Sequence, residues 1–258
     1  SPGLHPFDWR GFWEYGTGAL GDIGCHTLDA PYKTLQLGYP SSVECTATNV
    51  FKKMWTPEYT PEGCPISSMV TLQYDNSPHN KDGIKLIWMD GGLTPTIPEE
   101  IEEEFIMNYD VGNSSGIMML GSKGVITAEI YANNPTLYIK GEKPVVFNTS
   151  KQPNVNDVHA STWTEACKVG FNSSEHKALT SSFDYSGPFT ESVIMGNLAL
   201  RSRDLRKVNG TRGNGRKILS YYGRKKLLWD GENMKIKNLE EANAFVSKEY
   251  RKGWELPI

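Results

Sequence analysis

The sequence lacks the features that mark a membrane protein or a zinc-binding domain. It contains no apolar run near the roughly 20 residues that span a bilayer, and its cysteines include no C-x-x-C pair. The wide spacing of the cysteines predicts free and mostly buried thiols at Cys25, Cys45, Cys64 and Cys167. A single disulfide in an oxidising compartment stays open as an alternative.

The sequence also lacks an excess of positive charge. It carries 27 Lys and Arg against 30 Asp and Glu, a formal net charge of −3. Nucleic acids and anionic membranes are attracted by a positive field, so we predict neither as a partner. The basic stretch 201–226 is interpreted as a solvated loop without an aromatic stacking platform. We expect a soluble protein, and the choice between cytoplasm and periplasm stays open.

The pattern of apolar residues predicts an α+β fold. Alternating and β-branched residues favour strands at 43–51, 68–74, 84–89, 117–120, 125–131, 136–139 and 145–147. Helical spacing favours helices at 20–37, at 157–169 with Asp157 as its cap, at 189–201 after Pro188, and from Asn238 to about 250. One helix, then strands, then helices indicate an antiparallel sheet that is covered on one face by helices.

A glycine motif near the N-terminus resembles a dinucleotide-binding fingerprint but lacks its context. Gly16–Gly21 matches G-x-G-x-x-G, and Glu44 lies about where the ribose-binding acid would be. The fingerprint requires a buried strand that delivers the glycine turn to a helix N-terminus. Residues 8–15 are too aromatic and charged to be a central strand, and Glu44 falls near the beginning of its own strand. We therefore reject a nucleotide site at these glycines.

The helix after these glycines carries an acidic residue and a histidine on one face. Asp22 and His26 are four residues apart, and Asp29 is three beyond His26. An imidazole beside a carboxylate is a plausible general acid or base. Taken alone, the spacing favours an ordinary helix-surface contact, which is the more common origin of such pairs. A metal site is disfavoured because no further His or Cys ligands cluster nearby.

Two other groups of residues are weaker candidates for a site. Aromatic residues before the first helix would either stack on a sugar or pack the loop onto the sheet: Trp9, Phe12, Trp13 and Tyr15. His159, Trp163 and Cys167 recur every four residues on one helix face. Core packing of that face is the favoured interpretation, and His159 is kept as a candidate substrate contact.

Several segments are similar, in order, to one known family. Residues 9–29 resemble the W-R-x-x-x-x-Y-G-x-G-x-x-x-D-x-G-x-H-x-x-D segment of the glucose-fructose oxidoreductase / inositol dehydrogenase / rhizopine catabolism (Gfo/Idh/MocA) family. Further similarity is found at residues 88–93, 121–124, 183–191, 228–234 and 249–254. The resemblance covers nearly the whole chain and is far more specific than D-x-x-x-H alone.

The resemblance implies a fold, a reaction and a set of site residues. Members of this family have an N-terminal Rossmann domain and a C-terminal α+β domain built on a large, open sheet, with the active site between the domains. The resemblance implies that residues 1–258 are the C-terminal domain, with a mainly antiparallel sheet and helices on one face. The implied catalytic pair is Asp22 and His26, with His26 as the base on a sugar hydroxyl. Arg10 and Tyr15 would approach the substrate, with Trp9 in the same loop. The family's open sheet face implies a homo-oligomer.

By the resemblance, the family's E-K-P lysine belongs to the first domain, and this chain has no acceptable nucleotide fingerprint. We therefore expect that a dinucleotide-binding half precedes it, binds most of the NAD or NADP, and is needed for activity on a sugar, glycoside or cyclitol. One alternative is an NAD-dependent glycoside hydrolase of the same family. Another is a stand-alone carbohydrate-binding or assembly module without catalysis.

Overall fold

A computed structural model describes residues 5–102, 115–147 and 155–255. The chain divides into two compact units, one formed by residues 1–96 and 191–258 and the other by residues 97–190. The described strands form antiparallel open sheets of five, four and two strands, accompanied by helices. The predicted α+β class is therefore confirmed.

The helices and strands are numbered in chain order. The helices are α1 (Gly18–Thr27), α2 (Asp29–Leu35), α3 (Val155–Val169), α4 (Ser174–Lys177) and α5 (Phe183–Ser202), with 3-10 helices at Asp8–Gly11 and Glu240–Phe245. The strands are β1 (Ser42–Ala47), β2 (Ser68–Tyr74), β3 (Ile84–Met89), β4 (Gly116–Gly121), β5 (Gly124–Glu129), β6 (Thr136–Tyr138), β7 (Val145–Val146), β8 (Lys207–Thr211), β9 (Lys217–Ser220), β10 (Leu227–Asp230) and β11 (Lys235–Ile236).

The first unit is built on the five-stranded sheet, in the order β11-β10-β1-β2-β3. Leu72 in the central region pairs with Val43 on one side and with Leu86 on the other. Along β2 every second residue is buried, beginning with Ser68 and ending with Tyr74. This period of two is the alternation that a strand with one covered face requires.

Helices α1 and α5 pack closely against the buried face of the five-stranded sheet. A Cβ atom added to Gly196 of α5 would overlap Cδ2 of Leu20 and would lie 2.9 Å from Cγ1 of Val70. The absent side chain therefore lets the α5 backbone approach both α1 and β2. Burial of such apolar surface from water is the main stabilisation of this unit.

The opposite face of the sheet is more open. Glu44 of β1 and Ile87 of β3, which both pair with Thr71 of β2, are exposed, and so is Leu228 of β10. An exposed sheet face with apolar residues is a candidate contact between subunits. The predicted self-association through this face stays a prediction.

The second unit contains the four-stranded sheet, in the order β4-β5-β6-β7. Its small core is formed by Ile101, Val125 and Tyr138. Glu99, the first residue of the acidic run 99–104, forms an exposed ion pair with Lys140 at 2.7 Å. Residues 103 and 104 of that run lie outside the described residues.

The predicted C-terminal helix from Asn238 to about 250 is wrong. The structure has only the 3-10 helix Glu240–Phe245. Instead of capping a helix, the Asn238 side chain accepts a hydrogen bond from the Leu228 backbone N–H at 2.9 Å and donates to the Lys226 carbonyl at 2.8 Å. Asn243 exchanges similar bonds with the backbone of Ile236. The side-chain amides of Asn238 and Asn243 therefore hydrogen-bond the C-terminal segment to the backbone at β10 and β11.

Three other boundaries differ from the sequence prediction. The basic stretch 201–226 is not a continuous loop, because residues 207–220 within it form the β8–β9 hairpin. Helix α5 begins at Phe183, so Pro188 lies inside it and not before it. Asp157 lies in the first turn of α3 and not at its cap. Proline within the second turn costs one backbone hydrogen bond, which the long helix tolerates.

The cysteines are free, as predicted, but they are not mostly buried. Cys25 and Cys167 are exposed, and Cys45 and Cys64 are half-buried. Burial raises the pKa of the Cys45 thiol to about 11 and that of the Cys64 thiol to about 12. Both half-buried thiols therefore stay protonated and unreactive near neutral pH.

Candidate functional site

The loop before α1 is folded tightly onto the first 3-10 helix. The N–H groups of Tyr15 and Gly16 both donate to the Phe12 carbonyl at 2.9 Å. A Cβ at Gly16 would lie 2.5 Å from Cα of Arg10, so only glycine permits this approach. The loop thus holds Arg10 beside the start of α1.

The same loop shows why the glycine motif is not a nucleotide site. Within residues 5–17 the structure has a 3-10 helix and turns, and no strand leads into α1. Glu44 is exposed on β1, where its carboxylate lies 3.5 Å from the Lys226 ammonium. The described residues around the motif therefore do not fit a dinucleotide, in agreement with the rejection of the motif.

Arg10 of the loop forms an ion pair with Asp22 in the second turn of α1. Nη1 of Arg10 lies 2.5 Å from Oδ2 of Asp22. Nε of Arg10 donates to the Phe7 carbonyl at 3.0 Å, and its guanidinium lies 4.3 Å from the centroid of the Phe7 ring. Sequence analysis assigned Arg10 to the substrate and missed this pair, because a separation of twelve residues has no helical or strand signature.

The other predicted residues of the loop and helix are accessible. His26 follows Asp22 by one turn of α1 and is exposed. Trp9 and Tyr15 are 53% and 60% exposed, whereas Phe12 and Trp13 are half-buried. The aromatic group therefore divides: Phe12 and Trp13 pack the loop, and Trp9 and Tyr15 are available for a ligand.

His159 belongs to another part of the chain. It lies on α3 in the second unit, whereas the remaining candidates lie in the first. His159, Trp163 and Cys167 are all exposed, so the predicted core packing of their helix face is wrong. The four-residue spacing correctly placed the three residues on one face of a helix. It did not show whether that face of α3 is buried or exposed.

Sequence reasoning missed a groove of about 170 Å³ in the first unit. Its floor is α5, and its walls are Trp13, Gly16, Thr17, Trp229, Met234, Phe245 and Val246. Glu191 at one end accepts a hydrogen bond from Nε1 of Trp229 at 2.5 Å, and burial raises its pKa. Arg201 lies over the Phe245 ring at 4.5 Å, and burial lowers its pKa. The groove is smaller than drug-sized sites of about 300–1,000 Å³.

The described residues offer neither a metal site nor a membrane span. Among them, no three or more His, Cys, Asp or Glu side chains are grouped so that they could hold a metal ion. None of the helices in the described ranges combines the length and apolar composition needed to cross a bilayer.

A comparison with known protein families finds no match for this chain, and a comparison with curated proteins finds none either.

Replacing Arg10 with glutamine should cost little stability. Both members of its ion pair are more than one-third exposed, and exposed pairs contribute about 0–1 kcal/mol. We expect the urea midpoint to fall slightly, and the fall to shrink further in high salt because the charges are screened. Lys248→Gln, which removes the exposed pair with Glu14, is the matched control. A loss of several kcal/mol for Arg10→Gln alone would show that the pair stabilises the fold as a buried pair does.

Proposed function

We propose that this chain is the substrate-binding and oligomerisation half of an NAD(P)-dependent oxidoreductase that acts on a hydroxyl of a sugar, glycoside or cyclitol. The observation that carries the proposal is the folded loop at the head of α1. It holds Asp22 through Arg10, one turn before the accessible His26, and presents the exposed rings of Trp9 and Tyr15. The ordered resemblance to the Gfo/Idh/MocA family supports the same assignment.

The proposed roles follow from the chemistry of these side chains. His26, as a neutral imidazole, accepts the proton of the substrate hydroxyl. Arg10 orients the Asp22 carboxylate in the second turn of α1. The negative charge one turn before His26 is therefore already in place when the substrate binds. Trp9 and Tyr15 offer apolar ring faces to the C–H face of a sugar. NAD(P), which accepts the hydride in such oxidations, is proposed to bind to a preceding half of the protein.

The exposed rings also favour a second candidate, a carbohydrate-binding module without catalysis. Trp9 and Tyr15 would serve such a module equally well, since stacking on a sugar needs no proton transfer. A glycoside hydrolase that uses NAD transiently is the third possibility. The three differ in products: net NAD(P)H, a released sugar without net NAD(P)H, or binding alone.

One experiment separates them. The proposed longer protein, in which a dinucleotide-binding half is joined to this chain, is incubated with NAD⁺ or NADP⁺ and a panel of sugars, glycosides and cyclitols. We expect nicotinamide absorbance to rise with at least one substrate, while the 258-residue chain shows neither turnover nor calorimetric binding of NAD(P). Sugar release without reduced cofactor would identify the hydrolase. Binding without either product, or micromolar NAD(P) binding by the shorter chain, would contradict the proposal.

A further inference from the structure

A stack of alternating rings and guanidinium groups lies beside the β8–β9 hairpin. Arg206 lies 3.5 Å from the centroid of the Tyr59 ring and 6.0 Å from that of Tyr221. Arg224 lies 3.8 Å from the centroid of the same Tyr221 ring. We call Tyr59, Arg206, Tyr221 and Arg224 the cationic ladder. Sequence analysis predicted no aromatic stacking platform in this basic region, and the rings of Tyr59 and Tyr221 are covered by guanidinium groups.

The ladder is embedded in positive charge that the described residues do not neutralise. Residues 201–226 contain one carboxylate, Asp204. Of the other nearby acids, Glu44 is paired with Lys226 at 3.5 Å and Glu58 with Lys52 at 2.6 Å. In the described part of the chain, no ion pair involves these basic residues: Arg206, Lys207, Arg212, Arg216, Lys217, Arg224 and Lys225.

The backbone around the ladder is held in place. A Cβ at Gly223 would overlap the Ser202 carbonyl oxygen, so the chain between Tyr221 and Arg224 passes directly against the end of α5. On the hairpin, Nη2 of Arg216 donates to the Trp55 carbonyl at 3.2 Å. Trp55 itself is 75% exposed. A preformed cationic surface therefore follows the hairpin from the ladder to Arg216, which contacts the backbone of the exposed Trp55.

We propose that the cationic ladder binds an acidic saccharide, that is, an oligosaccharide bearing carboxylate or sulfate groups. A guanidinium stacked on a ring keeps its N–H edge free for bidentate contact with an oxyanion. Carboxylate and sulfate oxygens both fit that edge. The exposed face of Trp55 provides an apolar platform for the C–H face of a sugar ring.

The arrangement disfavours single-stranded nucleic acid. Binding of successive bases requires several aromatic faces that are open for stacking. Guanidinium groups lie directly over the rings of Tyr59 and Tyr221, and the exposed Trp55 offers a single face. The anion-binding surface stands on the geometry alone. The choice of a saccharide as the anion carrier rests on the proposed function, but its test requires neither cofactor nor turnover.

The test is equilibrium binding to the 258-residue chain at low and moderate salt. The probes are an oligogalacturonate, a sulfated dextran oligosaccharide, a neutral dextran oligosaccharide of equal length, and a single-stranded oligonucleotide. We expect the acidic saccharides to bind, with an affinity that falls as salt rises, and the neutral saccharide to bind at least about tenfold more weakly. The galacturonate and dextran sulfate arms show whether carboxylate or sulfate is preferred.

Matched variants locate the surface. Arg206→Gln and Arg224→Gln should each weaken acidic-saccharide binding by about tenfold. Arg206→Lys should weaken it too, because a lysine keeps the charge but loses the planar fork. Lys85→Gln, an exposed charge change on the edge strand β3, should leave binding unchanged. Equal effects of Lys85→Gln and Arg206→Gln, no binding of either acidic saccharide, or tighter binding of the oligonucleotide would each overturn the proposal.

Discussion

Replacing His26 with alanine should lower kcat of the proposed longer, cofactor-binding protein by about 10²–10⁴-fold, the usual contribution of a positioned general base. His26 is exposed one turn after Asp22 on α1, so its removal leaves a surface position and no core cavity. The affinity for NAD(P) should stay nearly unchanged, because we propose that the cofactor binds mainly to a preceding half of the protein. The measurement is steady-state and single-turnover kinetics with the best substrate found.

Two further variants test the role of the helix face. Asp22→Asn should lower the rate as well, because it removes the carboxylate that Arg10 holds at the head of α1. Asp29→Asn should have a smaller effect, since Asp29 begins the separate helix α2. An unchanged single-turnover rate for His26→Ala would exclude His26 as the base. The Asp22–His26 spacing would then have no catalytic meaning.

Gly91→Ala should be strongly destabilising, with a loss of about 3 kcal/mol or more in the free energy of unfolding. Gly91 has φ +63°, and an added Cβ would meet the Ile66 carbonyl oxygen and the Ser67 side chain. Ser67 is held in place because its Oγ donates to the Gly91 carbonyl at 2.7 Å. The Ile66 oxygen belongs to the backbone and cannot rotate away as a side chain could. The steric clash can therefore be relieved only by moving the backbone.

Gly92→Ala is the matched control. Its φ of +88° carries the same kind of backbone strain, but no atom lies within 4 Å of the added Cβ. We expect it to cost only about 1–2 kcal/mol, the penalty for a left-handed residue. Urea unfolding followed by tryptophan fluorescence gives both values. Equal losses for the two variants would show that steric contact with Ile66 and Ser67 is unimportant.

The local pattern of the sequence determined the central strands. The predicted strands at 68–74 and 84–89 coincide with β2 and β3. Each lies in the sheet with alternate side chains on opposite faces, so the period of two in the sequence is a direct record of burial. The position of Asp22 and His26 on one helix face was determined in the same way, by the period of the helix.

Where a residue had more than one possible partner, the local sequence did not determine which partner it contacts. Asn238 has the sequence context of a helix cap, but the backbone at β10 offers its amide two hydrogen bonds, and the strand contact prevails over the helix. The face of α3 that carries Trp163 has a helical period, yet it is exposed. Periodicity identifies a face, whereas only packing decides whether that face is covered.

The pairs that define both proposed sites were decided by tertiary structure alone. Arg10 meets Asp22 because glycine at position 16 lets the loop fold back onto the 3-10 helix. Arg206 meets Tyr59 although the two lie far apart in the chain. The sequence by itself determined which elements form and which residues share their faces. Contacts between distant segments depend on how those elements pack, and no local spacing encodes them.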